Sequence, residues 1–136
     1  MFEIGNTSLV EICESVFAKL ESENPAGSTK DRVALQIIED AIDAGKIADG
    51  ATIVEATSGN TGIGLAAVAQ SKGFACKIFM PQNLSKQRIA LIESYGAQCV
   101  LTPASAGMQG SIDAANKFVR ETNNAFMADQ FNNPSN

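Results

Sequence analysis

Apolar residues follow two different spacings along this chain, and the two spacings alternate. Short apolar runs predict β-strands, whereas stretches with an apolar residue at every third or fourth position predict amphipathic helices. The predicted strands cover residues 15–21, 51–55, 75–80, 98–101 and 125–128, and the predicted helices begin at 30, 62, 85 and 107 and end near 45, 71, 95 and 121. The second helix is apolar almost all round, which predicts that it is buried on more than one side.

The alternation of strand and helix after residue 51 is typical of α/β proteins. Consecutive βαβ units place their strands parallel in one sheet through right-handed crossovers. We therefore predict one α/β domain with a parallel sheet of about four strands and helices on both faces. Ligands of such sheets bind beyond the carboxyl ends of the strands, so a site is expected at the turns after Glu55, Met80 and Leu101.

Composition narrows the classes of function. With 136 residues, 45% of them apolar, the chain has room for one core, and its formal net charge of -5 gives no basic surface for nucleic acid or an anionic membrane. No apolar run approaches the roughly 20 residues of a membrane span and the N-terminus has no signal-peptide pattern, so we expect a cytoplasmic location. Three widely spaced cysteines and no histidine argue against a metal site and a disulfide framework.

The segment 24–32, NPAGSTKDR, is the first that could carry chemistry. Ser28 is placed to cap the following helix and Asp31 occupies the acid position of a capping box, which puts Lys30 in the first turn. The helix dipole and the nearby Arg32 both favour a neutral amine there, the form in which a lysine can attack a carbonyl and form an imine. A solvated surface lysine is the alternative, and the pattern alone leaves both open.

The turn 57–64, TSGNTGIG, lies between an apolar strand and the buried helix. Its glycines allow close approach to a ligand, while helix N-terminal amides and the side chains of Ser58, Asn60 and Thr61 supply hydrogen-bond donors. These features predict an anion cradle, although the turn is neither a dinucleotide fingerprint nor a P-loop. The alternative is a tight turn in which glycine serves packing alone.

Several short motifs occur in one order along the chain: residues 4–7 (IGNT), 18–21 (AKLE), 24–32, 55–64 (EATSGNTGIG), 95–97 (YGA), 107–110 (GMQG) and 129–131 (DQF). In this order and spacing they resemble the N-terminal portion of the cysteine synthase and cystathionine β-synthase family, which consists of fold-type II pyridoxal-phosphate (PLP) enzymes. The lysine segment and the TSGNTG loop together are the most specific part. The GMQG segment around Met108 favours a cysteine synthase over a threonine dehydratase.

The chain departs from the family pattern at three places. Ser8 stands where proline is usual, Ala26 stands where many members have glycine, and residues 83–88 differ from the usual basic pair. None of the three is expected to touch the proposed chemistry.

The resemblance implies a role for each residue of a site. Lys30 is similar to the lysine that forms an imine with PLP and moves the α-proton of the substrate, and Asn60 is similar to the asparagine that bonds the 3′-oxygen of the cofactor. The substrate α-carboxylate would be held by a clamp made of Thr57, Ser58, Gly59, Thr61 and Gln130. The implied reaction is a β-replacement in which O-acetylserine and sulfide give cysteine.

The resemblance also implies a division of the chain. Residues 1–23 are expected to pack into a large domain that lies mostly outside this chain, residues 24–131 to form the small α/β domain, and residues 132–136 to begin the large domain. The family's phosphate loop and the serine facing the pyridine nitrogen lie further along. We therefore expect little catalysis by this chain alone.

Left alone, the strand at 15–21 would be an unpaired edge beside exposed apolar surface, which predicts a homo-oligomer, a strand-exchanged dimer or disorder of the first residues. Two alternatives to a cysteine synthase stay open. One is a related PLP β-replacement enzyme such as cystathionine β-synthase, and the other is a non-catalytic small domain that binds an amino-acid carboxylate or a protein partner.

Overall fold

Parallel β-strands with helices on both sides make up most of the structure, a computed structural model that describes residues 3–136. The strands are β1 Leu9–Cys13, β2 Val16–Lys19, β3 Thr52–Ala56, β4 Ala75–Pro81, β5 Gln98–Thr102 and β6 Ala125–Met127, and the helices are α1 Lys30–Asp43, α2 Asn60–Lys72, α3 Lys86–Ser94 and α4 Gly107–Glu121. Short 3₁₀ helices at Glu21–Glu23 and Ala104–Ala106 precede α1 and α4.

Strands β3 to β6 form one parallel sheet in the order β5-β4-β3-β6. Strand β3 is flanked on both sides, so that Val54 lies opposite Lys77 of β4 and opposite Met127 of β6. The carboxyl ends of β3 and β6 therefore lie side by side at one edge of the sheet. The predicted α/β class, with four parallel strands and helices on both faces, is confirmed.

Neighbouring residues of the strands enter different halves of the core, because successive side chains of a strand point to opposite faces. Ile53 and Ile78 belong to the cluster formed with α1, α2 and α3, whereas Val54 and Phe79 pack with α4. Every residue of α2 from 61 to 69 is buried, since this helix packs against α1, α3 and the sheet. This confirms that the apolar helix is buried on more than one side.

The predicted helices and the strands of the parallel sheet agree with the structure to within one or two residues at most ends. Gly45, predicted to stop the first helix, lies two residues beyond its end with a φ of 66°. Such a left-handed conformation costs glycine little and ends the helix as expected.

The N-terminal strand prediction was only partly right. The predicted strand at 15–21 is the shorter β2, and β1 before it was missed. The two strands pair antiparallel, with Val10 opposite Ala18, around a turn at Ser15, whose φ is 63°. Strand β2 is therefore not an unpaired strand, although both strands of this hairpin keep an outer edge.

A network of polar side chains ties the segment before α1 to that helix. Arg32 donates to both carboxylate oxygens of Glu21, at 2.8 and 2.9 Å, and to the hydroxyl of Thr7 at 3.2 Å. Gly5, with a φ of 95°, passes so close to this guanidinium that a Cβ would lie 2.8 Å from Nη1. Asn24 accepts from the Gly5 backbone and donates to the carbonyl of Ser28.

The hairpin exposes apolar side chains beside this anchored segment. The exposed set is Leu9, Ile12, Val16, Phe17 and Leu20, whose exposed fractions lie between 37 and 66%.

Residues 1 and 2, which the predicted segment 1–23 includes, lie outside the described residues. Within residues 3–136 no helix could cross a membrane, and no group of three or more His, Cys, Asp or Glu side chains could hold a metal ion.

We predict that the contribution of the Glu21 and Arg32 pair to stability is lost in acid. Hydrogen bonds from Arg32, and secondarily from Thr7 and Asn24, lower the pKa of Glu21 from 4.5 to about 2. Because the folded pKa is the lower one, the pair stabilises the fold above the unfolded value and loses this effect as the pH falls from 4.5 towards 2. Urea midpoints measured across this range should fall less steeply for Glu21→Gln than for the unchanged chain.

Glu14→Gln is the matched control for that measurement, since Glu14 is exposed in the hairpin turn and no side-chain hydrogen bond is found for it among residues 3–136. Its pH dependence should follow the unchanged chain. Parallel curves for all three proteins would contradict the prediction.

Candidate functional site

An open cleft of about 500 Å³ lies where the carboxyl ends of β3 and β6 meet the N-termini of α1 and α2. It is lined by Thr29, Lys30, Thr57, Ser58, Gly59, Asn60, Thr61, Gln130 and Phe131. All seven residues of the predicted site therefore line one cleft, although they come from three separate segments. Sequence reasoning did not single out Thr29 and Phe131, which are direct neighbours of predicted residues.

The start of α1 places Lys30 at the cleft. The hydroxyl of Ser28 accepts from the backbone N–H of Lys30 at 3.1 Å, and Asp31 reaches back to the N–H of Ala26 at 2.6 Å. The prediction that Ser28 caps the helix was wrong by one residue, because Thr29 occupies the N-cap position and makes no side-chain cap hydrogen bond. Burial raises the pKa of Asp31, which is 1% exposed.

Lys30 itself is half-buried, and its Nζ has no hydrogen-bond or ion-pair partner among residues 3–136. Among the described residues that line the cleft, it alone carries a charge. The nearby Arg32 forms an ion pair with Glu21, with its Nε 2.8 Å from the Glu21 carboxylate. The amine is left available to a ligand in the cleft.

Gly64 allows α2 to approach the first turn of α1. A Cβ built on Gly64 would lie 2.9 Å from the carbonyl oxygen of Lys30 and 3.3 Å from the Cβ of Ala34. The carbonyl is a backbone atom and cannot rotate away, so any side chain here would push the helices apart. The spacing of the two helices therefore sets how far Lys30 lies from the loop before α2.

The loop 57–59 and the first turn of α2 form the opposite wall. The Thr57 hydroxyl accepts from the Gly59 N–H at 3.2 Å, and the Thr57 methyl group packs over Gly62, where a Cβ would approach it to 2.9 Å. The first N–H groups of a helix have no partner within the helix and carry its positive dipole end. This wall therefore suits an anion.

Arg88 of α3 supports the same loop from outside. Its Nη1 donates to the carbonyl oxygen of Ser58 at 2.7 Å. Residues 83–88 were not expected to touch the proposed chemistry, and Arg88 does not line the cleft, but its long side chain reaches back to the loop. The basic residues in that segment were the only signal that could have indicated this contact.

Gln130 closes the end of the cleft. Its side-chain oxygen accepts from the Thr61 hydroxyl at 2.5 Å, and its backbone N–H donates to Glu55 at 3.0 Å. Thr61 and Gln130 are both buried and lie 69 positions apart. This contact joins two members of the predicted clamp from distant segments, whereas Thr57 and Gly59 are joined within one loop.

A parallel sheet with a cleft beyond the carboxyl ends of its strands, lined by a lysine and by a helix N-terminus, is the arrangement in which α/β domains bind small molecules. The chain belongs to the family described as "Pyridoxal-phosphate dependent enzyme", which matches residues 1–136.

Curated relatives agree with this family. The chain is 48% identical to the cysteine synthase of a Flavobacterium species and 46% identical to cysteine synthase B of Campylobacter jejuni, with 98% of this chain covered in both alignments. It spans 45 and 46% of those two relatives, somewhat less than half of their length.

Solved structures show the same fold. The cysteine synthase of Entamoeba histolytica superposes with a TM-score of 0.91 at 38% identity, covering 97% of this chain and 43% of that one. A hydrogen sulfide-producing enzyme from Fusobacterium nucleatum gives a TM-score of 0.87 at 41% identity, covering 97% of this chain and 46% of that one.

The residues at the cleft fit one side of the family's cofactor, PLP. An unpaired primary amine suits its aldehyde, and the exposed residue Asn60, which lines the same cleft, supplies a neutral donor and acceptor. Gly59 leaves open space where a Cβ would stand, its nearest neighbour being the Thr57 hydroxyl at 4.0 Å. A planar group can therefore approach the start of α2 closely.

We predict that Gly64→Ala destabilises the fold by up to about 2 kcal/mol. Alanine gains about 1 kcal/mol of helix propensity over glycine, but forcing a methyl group against a backbone carbonyl costs about 1–3 kcal/mol. Urea denaturation measures the difference. Gln70→Ala, at an exposed position of the same helix, is the control and should change stability by less than about 0.5 kcal/mol. A Gly64→Ala chain more stable than the original would contradict the close approach.

Proposed function

We propose that this chain is the N-terminal part of a PLP-dependent cysteine synthase, which makes cysteine from O-acetylserine and sulfide by β-replacement. The observation that carries the proposal is that Lys30, the 57–61 loop and Gln130 line one cleft. The identities of 46–48% to enzymes named cysteine synthase support it. Because the chain spans less than half of those relatives, the proposal concerns the whole protein to which such a chain contributes.

Lys30 is the residue we propose to do the chemistry. Its Nζ would hold the cofactor covalently and would then take up and return the proton at the substrate Cα. When bound, PLP supplies the electron sink that stabilises the negative charge at that carbon. The cleft geometry supports this role, because the amine has no competing partner among residues 3–136. The backbone of Lys30 is held at the first residue of α1 by Ser28.

The second wall of the cleft would bind and orient the substrate. We propose that Asn60 bonds the 3′-oxygen of the cofactor, and that Thr57, Ser58, Gly59, Thr61 and Gln130 hold the substrate α-carboxylate. Hydroxyl and amide donors at a helix N-terminus stabilise a carboxylate through charge-assisted hydrogen bonds. The Thr61 and Gln130 contact would keep the two ends of this clamp together without the ligand.

The remaining segments belong to the same proposal. The hairpin within residues 1–23 would pack its exposed apolar side chains into a large domain, whose first part is residues 132–136. Residues 24–131 would form the small domain. A homo-oligomer or strand-exchanged dimer would cover the same apolar surface, and we place the complete protein in the cytoplasm.

The leaving group of the substrate is the part of the proposed function that the site residues specify least. The solved structures that resemble this chain include an O-ureido-L-serine synthase at 39% identity and an O-acetylserine-dependent cystathionine β-synthase of Helicobacter pylori at 32% identity. The identities of 48 and 46% to the two curated relatives named cysteine synthase favour cysteine as the product. The solved structures do not separate the two reactions, because the cysteine synthase is 38% and the O-ureido-L-serine synthase 39% identical to this chain. A related β-replacement enzyme remains the second candidate.

The lysine assignment can be tested by labelling. PLP is added to the purified chain, the adduct is reduced with borohydride, and the modified peptide is identified by mass spectrometry. We expect modification to saturate at Lys30 and to disappear in Lys30→Ala. Lys46→Ala, which removes an exposed lysine beyond α1, should label like the unchanged chain. Even labelling of all surface lysines would count against the proposal.

We also expect this chain alone to form cysteine from O-acetylserine and sulfide far more slowly than a complete enzyme, because contacts to the cofactor phosphate would come from the part of the relatives that it does not span. A fusion to the matching C-terminal portion of the Flavobacterium relative should restore turnover, and Lys30→Ala should abolish it. Full turnover by the chain alone would refute the expectation.

A further inference from the structure

Where the chain leaves the sheet after β6, a side chain takes over as hydrogen-bond acceptor from the backbone of the neighbouring strand. The Ala128 N–H still donates to the carbonyl of Val54 at 2.9 Å, as a continuing parallel strand would. Asp129 then adopts a left-handed conformation with a φ of 47°, which turns the chain away from β3. The next N–H, that of Gln130, therefore requires a different acceptor.

Glu55 supplies that acceptor. This residue of β3 is 4% exposed, and both of its carboxylate oxygens accept from backbone groups, Oε1 from Ala56 at 2.9 Å and Oε2 from Gln130 at 3.0 Å. Burial raises the pKa of Glu55, while the two backbone hydrogen bonds act in the opposite direction. An acidic residue is thus buried within the sheet, joined to a segment 75 positions away.

The hydrogen bonds continue from Gln130 to the cleft. Because the Thr61 hydroxyl donates to the Gln130 side-chain oxygen, the amide NH₂ group of Gln130 keeps both hydrogens for other acceptors. No residue within 3–136 accepts from this NH₂ group. Glu55, Gln130 and Thr61 therefore form one chain of contacts from β3 to the first turn of α2, with donors left at the cleft.

A neutral residue cannot replace Glu55 in this arrangement. A glutamine at position 55 would have one side-chain oxygen, so it could accept from the N–H of Gln130 or from that of Ala56, but not from both in this geometry. Its NH₂ group would then face the other N–H, donor against donor. A buried donor left without an acceptor is costly. The carboxylate is required because two backbone donors converge on it.

We propose that Glu55 is a positioning residue that holds Gln130 against Thr61, so that the carboxylate clamp is formed before an amino acid binds. This inference rests on the proposed function, since it assigns the clamp to an amino-acid carboxylate. Glu55 does not line the cleft and is not itself a contact for the ligand. It acts through Gln130.

The test compares Glu55→Gln with the unchanged chain by two independent measurements. The first is amide hydrogen exchange followed by NMR, which needs no ligand. The Gln130 N–H should exchange about tenfold faster in Glu55→Gln, the ratio that corresponds to the loss of about 1.4 kcal/mol. The second is titration with L-serine, followed by the amide shifts of residues 57–61, in which affinity should fall by about tenfold.

Two further variants make the comparison specific. Glu93→Gln, the same substitution at an exposed position of α3, should change neither measurement. Thr61→Val breaks the next contact along the chain, so it should weaken serine binding while leaving the Gln130 N–H protected. Adding Glu55→Gln to Thr61→Val should weaken binding by less than the product of the two separate effects, because both act on the same contact. If Glu55→Gln does not fold, Glu55→Asp takes its place.

The outcomes separate this inference from the proposed function. Gln130 exchange that stays slow in Glu55→Gln would overturn the positioning role. Serine binding equal to that of the unchanged chain, despite faster exchange, would show a purely structural role and would also overturn it. No serine binding by the unchanged chain would overturn the proposed clamp and the positioning role together. Faster exchange combined with weaker binding would support the inference.

Discussion

The close packing of α2 against the first turn of α1 is the constraint on which the cleft depends. Gly64 brings the two helices together at the carbonyl of Lys30, and a side chain of any size would separate them. This contact joins the lysine to the loop 57–61 although the two segments belong to different βα units. The chemistry of the site therefore depends on a position that carries no functional group.

The sheet brings the other segments of the cleft together. Strands β3 and β6 are neighbours that run parallel, so the segments that follow them emerge at the same edge. Loop 57–59 follows one strand and Gln130 follows the other. A residue late in the chain is thereby placed beside the N-terminus of α2, and the Thr61 hydroxyl joins the two.

Much of this arrangement could be predicted from the sequence, because it depends on local patterns. The apolar spacings located the four helices and the strands of the parallel sheet, and the motifs located the cleft residues. Strand β1 was missed, since two glutamates at 11 and 14 interrupt the apolar pattern of the hairpin. The role of each cleft residue stays a prediction.

The contacts that escaped sequence reasoning join residues that are distant along the chain. Arg88 reaches Ser58 across 30 positions, and Glu55 reaches Gln130 across 75. No local sequence pattern indicates that these residues are in contact. Both depend on how two elements happen to meet, which only the packed structure specifies. Residues that support a site from behind are for this reason harder to predict than residues that line it.

A buried carboxylate close to a proposed anion site needs a physical account, because like charges repel most strongly where water is excluded. The answer lies in the direction of the hydrogen bonds. Both oxygens of Glu55 face backbone N–H dipoles, which stabilise its charge locally and reduce its field at the cleft. The cleft itself presents the positive end of α2 and the amine of Lys30. The cleft is thus locally positive although the chain has a net charge of -5, and the Gln130 N–H that bonds Glu55 also positions Gln130 at the cleft.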